Sequence, residues 1–242
     1  PLTDPHGTQE ARSAAFYDRT APVYDQAMDA PVARELRECF WQRAEAEFPA
    51  GARLFDFGAG SGLDAEHFAA RGYHVTAYEP SAGMAGLLRE RCAAQAAAGR
   101  VVALGGSFAE LEAALARAEP FDGVVCNFAV FSLLPRLEPV FRLFGRIVKP
   151  GGRVLVTIQN PWYTADMRRP GFWKALLRFP AARAMRYSSA DTGFTTHWLP
   201  SQIRRAARPE FRPVAQRMPP AGECARKFGT FRVFRLLTFE RA

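Results

Sequence analysis

Residues 53–62 read Arg-Leu-Phe-Asp-Phe-Gly-Ala-Gly-Ser-Gly. An apolar-rich run, Leu54 to Phe57, ends in glycines at alternate positions, Gly58, Gly60 and Gly62. A helix-like stretch follows over 63–71. A second apolar run, 73–78, then stops at an acid, Glu79. Strand, glycine turn, helix, strand, acid is the order in which an α/β sheet takes hold of the adenosine end of a cofactor. Glycine has no Cβ, so the chain turns sharply and a ligand can approach its backbone. The unpaired N–H groups at the start of the helix attract carboxylates or phosphates. An acid closing the second strand can accept hydrogen bonds from both ribose hydroxyls.

The spacing separates two cofactor classes. A dinucleotide fingerprint, G-x-G-x-x-G, needs its third glycine at position 63, which is Leu63. The turn is instead Asp56-x-Gly58-x-Gly60-x-Gly62. Working outward, apolar runs alternate with helical patterns, which predicts a parallel α/β sheet. Residues 9–48 read as helical. Strands are predicted near 53–57, 73–78, 100–104, 121–126 and 153–158, with helices over 63–70, from the Ser81 cap to 97, 109–118 and 137–148. Residues 161–198 are rich in Trp, Phe, Tyr, Pro and Arg, and are far longer than the usual connection between such elements. They read as a cap over a substrate or as an irregular surface excursion. A helix over 200–208 and strands over 211–217 and 231–240 close the chain.

Bulk composition narrows the function classes. The chain has 242 residues, 48% hydrophobic and 23% charged, which suits one globular domain. No apolar run approaches the length of a membrane span. The first ten residues are polar and contain no apolar signal core, although the sequence does not begin with Met. Cys39, Cys92, Cys126 and Cys224 are scattered and read as reduced thiols of a cytoplasmic protein. Net charge is +8, nearly all of it arginine. An Arg- and Ala-rich composition accounts for most of this. Residues 168–186 nevertheless carry Arg168, Arg169, Lys174, Arg178, Arg183 and Arg186 with no acid.

The Asp56–Gly62 motif, its place after a strand, and Glu79 together resemble the class I S-adenosylmethionine-dependent methyltransferases, in their small-molecule branch. The likeness covers residues 12–160 closely and the last strands loosely. It implies a Rossmann-like, doubly wound, seven-stranded sheet ordered 3-2-1-4-5-7-6, with the last strand antiparallel. It further implies one domain, 1–242: an N-terminal helical flap (1–50), a cofactor core (51–160), a cap inserted between strand five and the last helix (161–198), and a closing helix and strands (199–242). By position, Gly58, Ala59 and Gly60 would lie against the methionine portion of S-adenosylmethionine, and Asp56 would hold the loop and the ammonium end. Glu79 would bind the ribose. Pro80 and the Met of Ser81-x-x-Met84 would flank adenine, although Met84 also suits a plain core position.

Where the family often has Gly-Asp after strand three, this chain has Gly106-Ser107-Phe108. Ser107 can still hydrogen-bond adenine, and Phe108 can stack on it. After strand four, Asn127-Phe128-Ala129-Val130-Phe131 replaces a pattern that ends in histidine, which removes one usual base. Asn127 would face the cofactor and Phe131 the substrate. Lys149-Pro150-Gly151-Gly152 is a further family marker, ending a helix and starting a strand. The segment Phe16-Tyr17-Asp18 through Tyr24-Asp25 resembles the flap, with a tyrosine near the sulfonium, since aromatic faces attract cations. Tyr17 and Tyr24 serve equally as anchors of that helix.

The implied chemistry is in-line methyl transfer without metal, gaining mainly from alignment and exclusion of water. Should a base be needed, His197 is the candidate, with Tyr24 at the reacting centre. A His beside a Trp also suits simple packing. His6, His67 and His74 fall in tail or scaffold. Trp162, Tyr163, Trp173 and Trp198, with His197, are expected to line an apolar substrate pocket, and the neighbouring arginines to bind an acidic group. The expected substrate is a small aromatic or acidic metabolite, possessing an oxygen or nitrogen nucleophile. Two alternatives stay open. An RNA methyltransferase is favoured by the charge, but Asn160-Pro161-Trp162 lacks the second proline of the adenine-N6 motif and follows the wrong strand. A non-catalytic cofactor-binding or membrane-surface protein is favoured by the basic, apolar segment 172–186.

Overall fold

The computed structural model describes residues 5–168, 170–182, 185–189, 193–214, 228 and 232–242. Two helices lead, α1 (Pro5–Met28) and α2 (Pro31–Glu47). Then come β1 (Arg53–Phe57), α3 (Leu63–Ala70), β2 (His74–Tyr78), α4 (Ala82–Arg91), α5 (Ala93–Ala97), β3 (Val101–Leu104), α6 (Phe108–Leu115) and β4 (Phe121–Cys126). A 3-10 turn, Val130–Leu133, precedes α7 (Glu138–Ile147) and β5 (Val148–Gln159). The cap region holds α8 (Thr164–Met167), α9 (Pro170–Ala182), β6 (Met185–Ser189) and β7 (Gly193–His197). The chain closes with α10 (Pro200–Ala206), β8 (Phe211–Pro213) and β9 (Phe234–Arg241).

The main sheet has seven strands in the order β3-β2-β1-β4-β5-β9-β8, and β6 and β7 pair separately. With those two cap strands set aside, this is the expected 3-2-1-4-5-7-6 order. The first five strands are parallel, and β9 runs antiparallel to β5. Strand alternation sends β1 into both cores. Phe55 and Phe57 join Phe121, Phe141 and Phe144 on one face, while Leu54 joins Phe40, Phe68 and Leu88 on the other.

Several boundaries differ from the sequence reading. The helix expected from Ser81 to 97 is broken at Cys92, a buried residue with φ −93° and ψ 15°. β5 begins at Val148, which pairs with Phe121, and the register then jumps so that Arg153 pairs with Gly123. Lys149-Pro150-Gly151-Gly152 thus bulges from a strand that has already started. The strand expected over 211–217 stops at Pro213 on the sheet edge, where proline costs no ladder bond. Residues 215–217 and Phe231 lie outside the described residues, as do Arg169, Arg183 and Cys224. Cys92 and Cys126 are free and buried, but Cys39 is disulfide-bonded, against the expectation of reduced thiols. Among the described residues, no helix is long and apolar enough to cross a membrane.

Helix α1 is fastened along one stripe. Asp18 Oδ1 accepts from the Ser81 hydroxyl at 2.7 Å and from the Gly83 N–H at 2.8 Å, so it caps the start of α4. Two helical turns on, Asp25 accepts from the Ser61 hydroxyl at 2.6 Å and pairs with Arg91. A Cβ at Gly83 would come within 3.2 Å of the Asp18 Cα, so a glycine there lets the two helices approach closely.

Candidate active site

A cavity of about 340 Å3 opens beyond the C-terminal ends of β1, β2 and β4. Ligands of open α/β sheets bind at this end of the strands. Its roof is the α1 stripe next to the fastened one. Residues spaced by seven fall on one face of a helix, and Glu10, Tyr17 and Tyr24 all line the cavity. Its floor is the glycine turn. Gly58 and Ala59 both donate to the Tyr78 carbonyl at 2.9 Å. The Tyr24 hydroxyl lies over Gly60, where a Cβ would stand 3.5 Å from it.

Gly58 has φ +81°, and a Cβ there would sit 2.6 Å from a Val130 methyl. Both effects oppose any side chain. We expect Gly58→Ala to cost about 2–4 kcal/mol from left-handed strain and overpacking, lowering Tm by about 5–10 °C. A thermal melt unchanged from wild type would contradict this.

Glu79 joins the turn to the loop after β2. Its Oε2 accepts from the Gly60 N–H at 2.8 Å and its Oε1 from the Ser81 N–H at 2.9 Å. Burial pushes its carboxyl up to about 7; the two backbone donors oppose this, and the charge of Asp18 adds to it. Two more acids lie behind the turn. Asp64 accepts from the Trp41 indole N–H at 2.7 Å and from the Asn127 amide at 3.0 Å. Asn127 in turn accepts from the Phe128 N–H at 2.8 Å and from the Thr157 hydroxyl at 3.1 Å. This network holds Phe128 and Ala129 at φ 51° and 60°, a conformation rare outside glycine. Asp56 is 1% exposed and its Oδ2 has no hydrogen-bond partner. Burial and mutual repulsion push Asp56 up, and burial raises Asp64. A ligand cation would relieve such a cluster.

One guanidinium enters from α2. Arg37 lines the cavity, is 5% exposed, and gives both terminal nitrogens to the Met28 carbonyl at 3.3 Å. Its Nε has no partner. An orphaned, buried donor at a cavity wall fits a carboxylate ligand.

The structure gathers most of the residues expected to bind the cofactor. Tyr17, Tyr24, Gly58, Ala59, Gly60, Glu79, Pro80, Met84, Phe108 and Asn127 all line the cavity. Two do not. Asp56 shares the face of β1 that carries Leu54, so it points beneath the turn, and Asp64 lines the wall in its place. Ser107 is turned away and exposed, because it forms a capping box with Glu110: its hydroxyl accepts from Glu110 N–H and its own N–H donates to the Glu110 carboxylate at 2.7 Å.

None of the residues expected to line the substrate pocket borders this cavity. Phe131 is fully buried against Phe141. Trp162 packs on Phe172, Tyr163 precedes α8, and Trp173 is 53% exposed with its indole donating to the Met167 carbonyl. Trp198 donates to the Phe131 carbonyl at 2.9 Å. His197 lies in β7, paired opposite Met185, with its ring 4.5 Å from that of Tyr187. Burial lowers its pKa to about 4, against the pull of Asp166. The cap thus buttresses the 3-10 turn and α1, to which Gln9 ties it by donating to the Phe194 carbonyl at 3.2 Å. Tyr24 is held protonated by burial and by the nearby Tyr17 and Glu79, so its phenol is a donor and a ring face, not a base.

Asp64, Glu10 and Arg37 are among the lining residues that escaped the sequence reading. Asp64 stands in the first turn after Gly62, a signal that was available. Glu10 shares the seven-residue spacing of Tyr17 and Tyr24. Arg37 gave no signal, since a cation on a polar helix looks like any solvated one.

The methyltransferase domain family matches residues 24–197. The demethylmenaquinone methyltransferase of Renibacterium salmoninarum is 29% identical over 197 residues, which are 79% of this chain and 76% of that protein. Among solved structures, the 1,6-didemethyltoxoflavin-N1-methyltransferase of Burkholderia thailandensis aligns with a TM-score of 0.66 at 18% identity, over 100% of this chain and 92% of that one. A TehB-like S-adenosylmethionine-dependent methyltransferase of Corynebacterium glutamicum aligns at 0.58 and 15% identity, over 93% and 99%. The structural likenesses speak to fold, and the family match spans well over half of the chain. The glycine turn, the acid closing β2 and the strand order belong together: this chain is a member of the methyltransferase domain family, the class I enzymes that draw their methyl group from S-adenosylmethionine.

Proposed function

We propose that the protein methylates an oxygen or nitrogen of a small aromatic or acidic metabolite, and that the cavity under α1 holds the donor. The carrying observation is the charge arrangement around the glycine turn: buried Asp56, Asp64 and Glu79 beside Tyr17 and Tyr24, with Arg37 near enough to act on Asp64 and its Nε orphaned. That arrangement fits a ligand with a cationic sulfonium, an ammonium and a carboxylate. S-adenosylmethionine, when bound, supplies an electrophilic methyl on cationic sulfur. Glu79 accepts from the ribose hydroxyls. Asp64 faces the ammonium, with Asp56 behind it. Arg37 holds the carboxylate. The rings of Tyr17 and Tyr24 favour the sulfonium, while Pro80, Met84 and Phe108 flank adenine.

With Tyr24 protonated and His197 outside the cavity, neither acts as a base here. The enzyme then works by alignment and by excluding water. A small acceptor is supported by the roof that α1 forms over the cavity, and by relatives named for methylating demethylmenaquinone and 1,6-didemethyltoxoflavin. Incubation with S-adenosylmethionine and a panel of aromatic and carboxylic acceptors, followed by mass spectrometry, tests the reading. Stoichiometric S-adenosylhomocysteine and a singly methylated small product are expected. Methylation of added RNA, with every small acceptor untouched, would contradict it.

Binding carries a pH signature. Glu79 must be ionised to accept hydrogen bonds from two hydroxyls, yet burial pushes its carboxyl up to about 7 in the ligand-free protein. Affinity for S-adenosylhomocysteine is therefore full above about pH 8 and falls about tenfold per unit below 7, with about one proton released on binding at pH 6. Calorimetry in buffers of different ionisation enthalpy reads both. A flat affinity from pH 5.5 to 8 would remove Glu79 from the ribose.

A further inference from the structure

The acid that the family places after β3 is Ser107 here, and both its hydroxyl and its N–H are spent in the capping box with Glu110. Something else must read the amino group of adenine, or nothing does. We infer that Glu10, carried by α1 from outside the cofactor core, is the carboxylate that reads the adenine edge. The inference rests on the donor reading above.

Three observations converge on Glu10. It stands on the same helical stripe as Tyr17 and Tyr24 and lines the same cavity. Its Oε1 accepts from the Phe108 N–H at 2.9 Å, so a chain-distant carboxylate sits beside the backbone donor that follows Ser107. Its place in the cavity is the third, on the donor reading: with the ribose on Glu79 and the amino-acid end toward Gly60, Asp64 and Arg37, the base would extend over Pro80, Met84 and Phe108, all of which line the cavity.

Adenine presents an amino donor next to the N1 acceptor. A backbone N–H and a carboxylate side by side are its complement. In the ligand-free protein Glu10 takes the Phe108 N–H and also faces the Tyr78 hydroxyl. A carboxylate has about four lone-pair sites, so Glu10 can take the amino group while N1 competes for the Phe108 N–H. Among the described residues that line the cavity the carboxylates are Glu10, Asp64 and Glu79, and Glu10 is the one bonded to the Phe108 N–H. The bland reading is that Glu10 merely pins α1 to the start of α6, and the test must separate the two.

Calorimetric titration of the full chain with S-adenosylhomocysteine and with S-inosylhomocysteine does so. The second ligand carries hypoxanthine, which puts an acceptor where adenine has its amino donor and a donor where adenine has N1. Wild type is expected to prefer the adenine ligand by about tenfold or more, because the mismatched edge leaves buried groups unpaired. Glu10→Ala brings the two affinities within about threefold of each other. Glu10→Gln improves the hypoxanthine ligand relative to wild type, since its amide can donate to the hypoxanthine carbonyl oxygen. It also keeps an acceptor for Phe108, so it carries the comparison should the alanine variant not fold. An unchanged preference in Glu10→Gln, with wild-type helix content and Tm, would reduce Glu10 to a structural pin and overturn the inference. Wild-type binding of S-adenosylhomocysteine without preference over the inosyl ligand would overturn it too. Binding of neither ligand by wild type would instead fell the donor reading, and this inference with it.

Discussion

Glu79→Ala loses S-adenosylhomocysteine, with Kd rising at least about 100-fold, while the fold survives. Each hydrogen bond from a neutral donor to an ionised acceptor contributes about 1.5–3 kcal/mol. Two ribose hydroxyls on one carboxylate therefore account for about 3–6 kcal/mol, or more than two decades of affinity. Stability responds differently. The carboxyl of Glu79 is raised by burial to about 7, above its unfolded value. The folded state thus binds this proton more tightly, so the contribution of Glu79 to stability is fullest at low pH and is lost as pH rises through 7. At pH 8 the ionised side chain costs the fold about 3 kcal/mol, and the cost would be larger without its bonds to the Gly60 and Ser81 N–H groups. Removing it leaves Tm at pH 8 within a few degrees of wild type. Titration calorimetry with a parallel thermal melt checks both halves. Binding retained in Glu79→Ala would mean that the ribose lies elsewhere.

Arg37→Met weakens S-adenosylhomocysteine by about 30-fold, or ~2 kcal/mol, the loss of one charge-assisted contact to a carboxylate. Methionine keeps the apolar stem and packing against Trp41 while removing the charge. The control is 5′-methylthioadenosine, which lacks the amino-acid end and should bind wild type and variant alike. Equal losses for both ligands would mean that Arg37 shapes the cavity instead of holding the carboxylate. No loss for either would free it for the acceptor.

What the sequence made legible follows from how local each signal is. The glycine turn, Glu79 and the Ser81 cap act within a few residues of themselves, and the structure has each in its expected place. The parallel order followed from alternation of strand and helix. The cap was legible only as an anomaly of composition. Its aromatic residues suggested a pocket, but aromatic side chains also fill the space between a helix, a hairpin and a sheet edge. Here Trp162, Trp173 and Trp198 spend their contacts on Phe172, the Met167 carbonyl and the Phe131 carbonyl. Asp56 falls on its expected strand but two residues short of the turn and buried, and it is Gly58 that reaches the cavity. Arg37 and Glu10 come from helices that precede the core, and only tertiary packing brings them to the cavity.

A crystal structure of the wild-type protein with S-adenosylhomocysteine tests the central claim most directly. The account predicts the ribose hydroxyls on the two oxygens of Glu79 and the homocysteine carboxylate at Arg37, under a roof of Tyr17 and Tyr24. A ligand bound outside the α1 cavity, or one inside it with Glu79 still bonded only to Gly60 and Ser81, would contradict it.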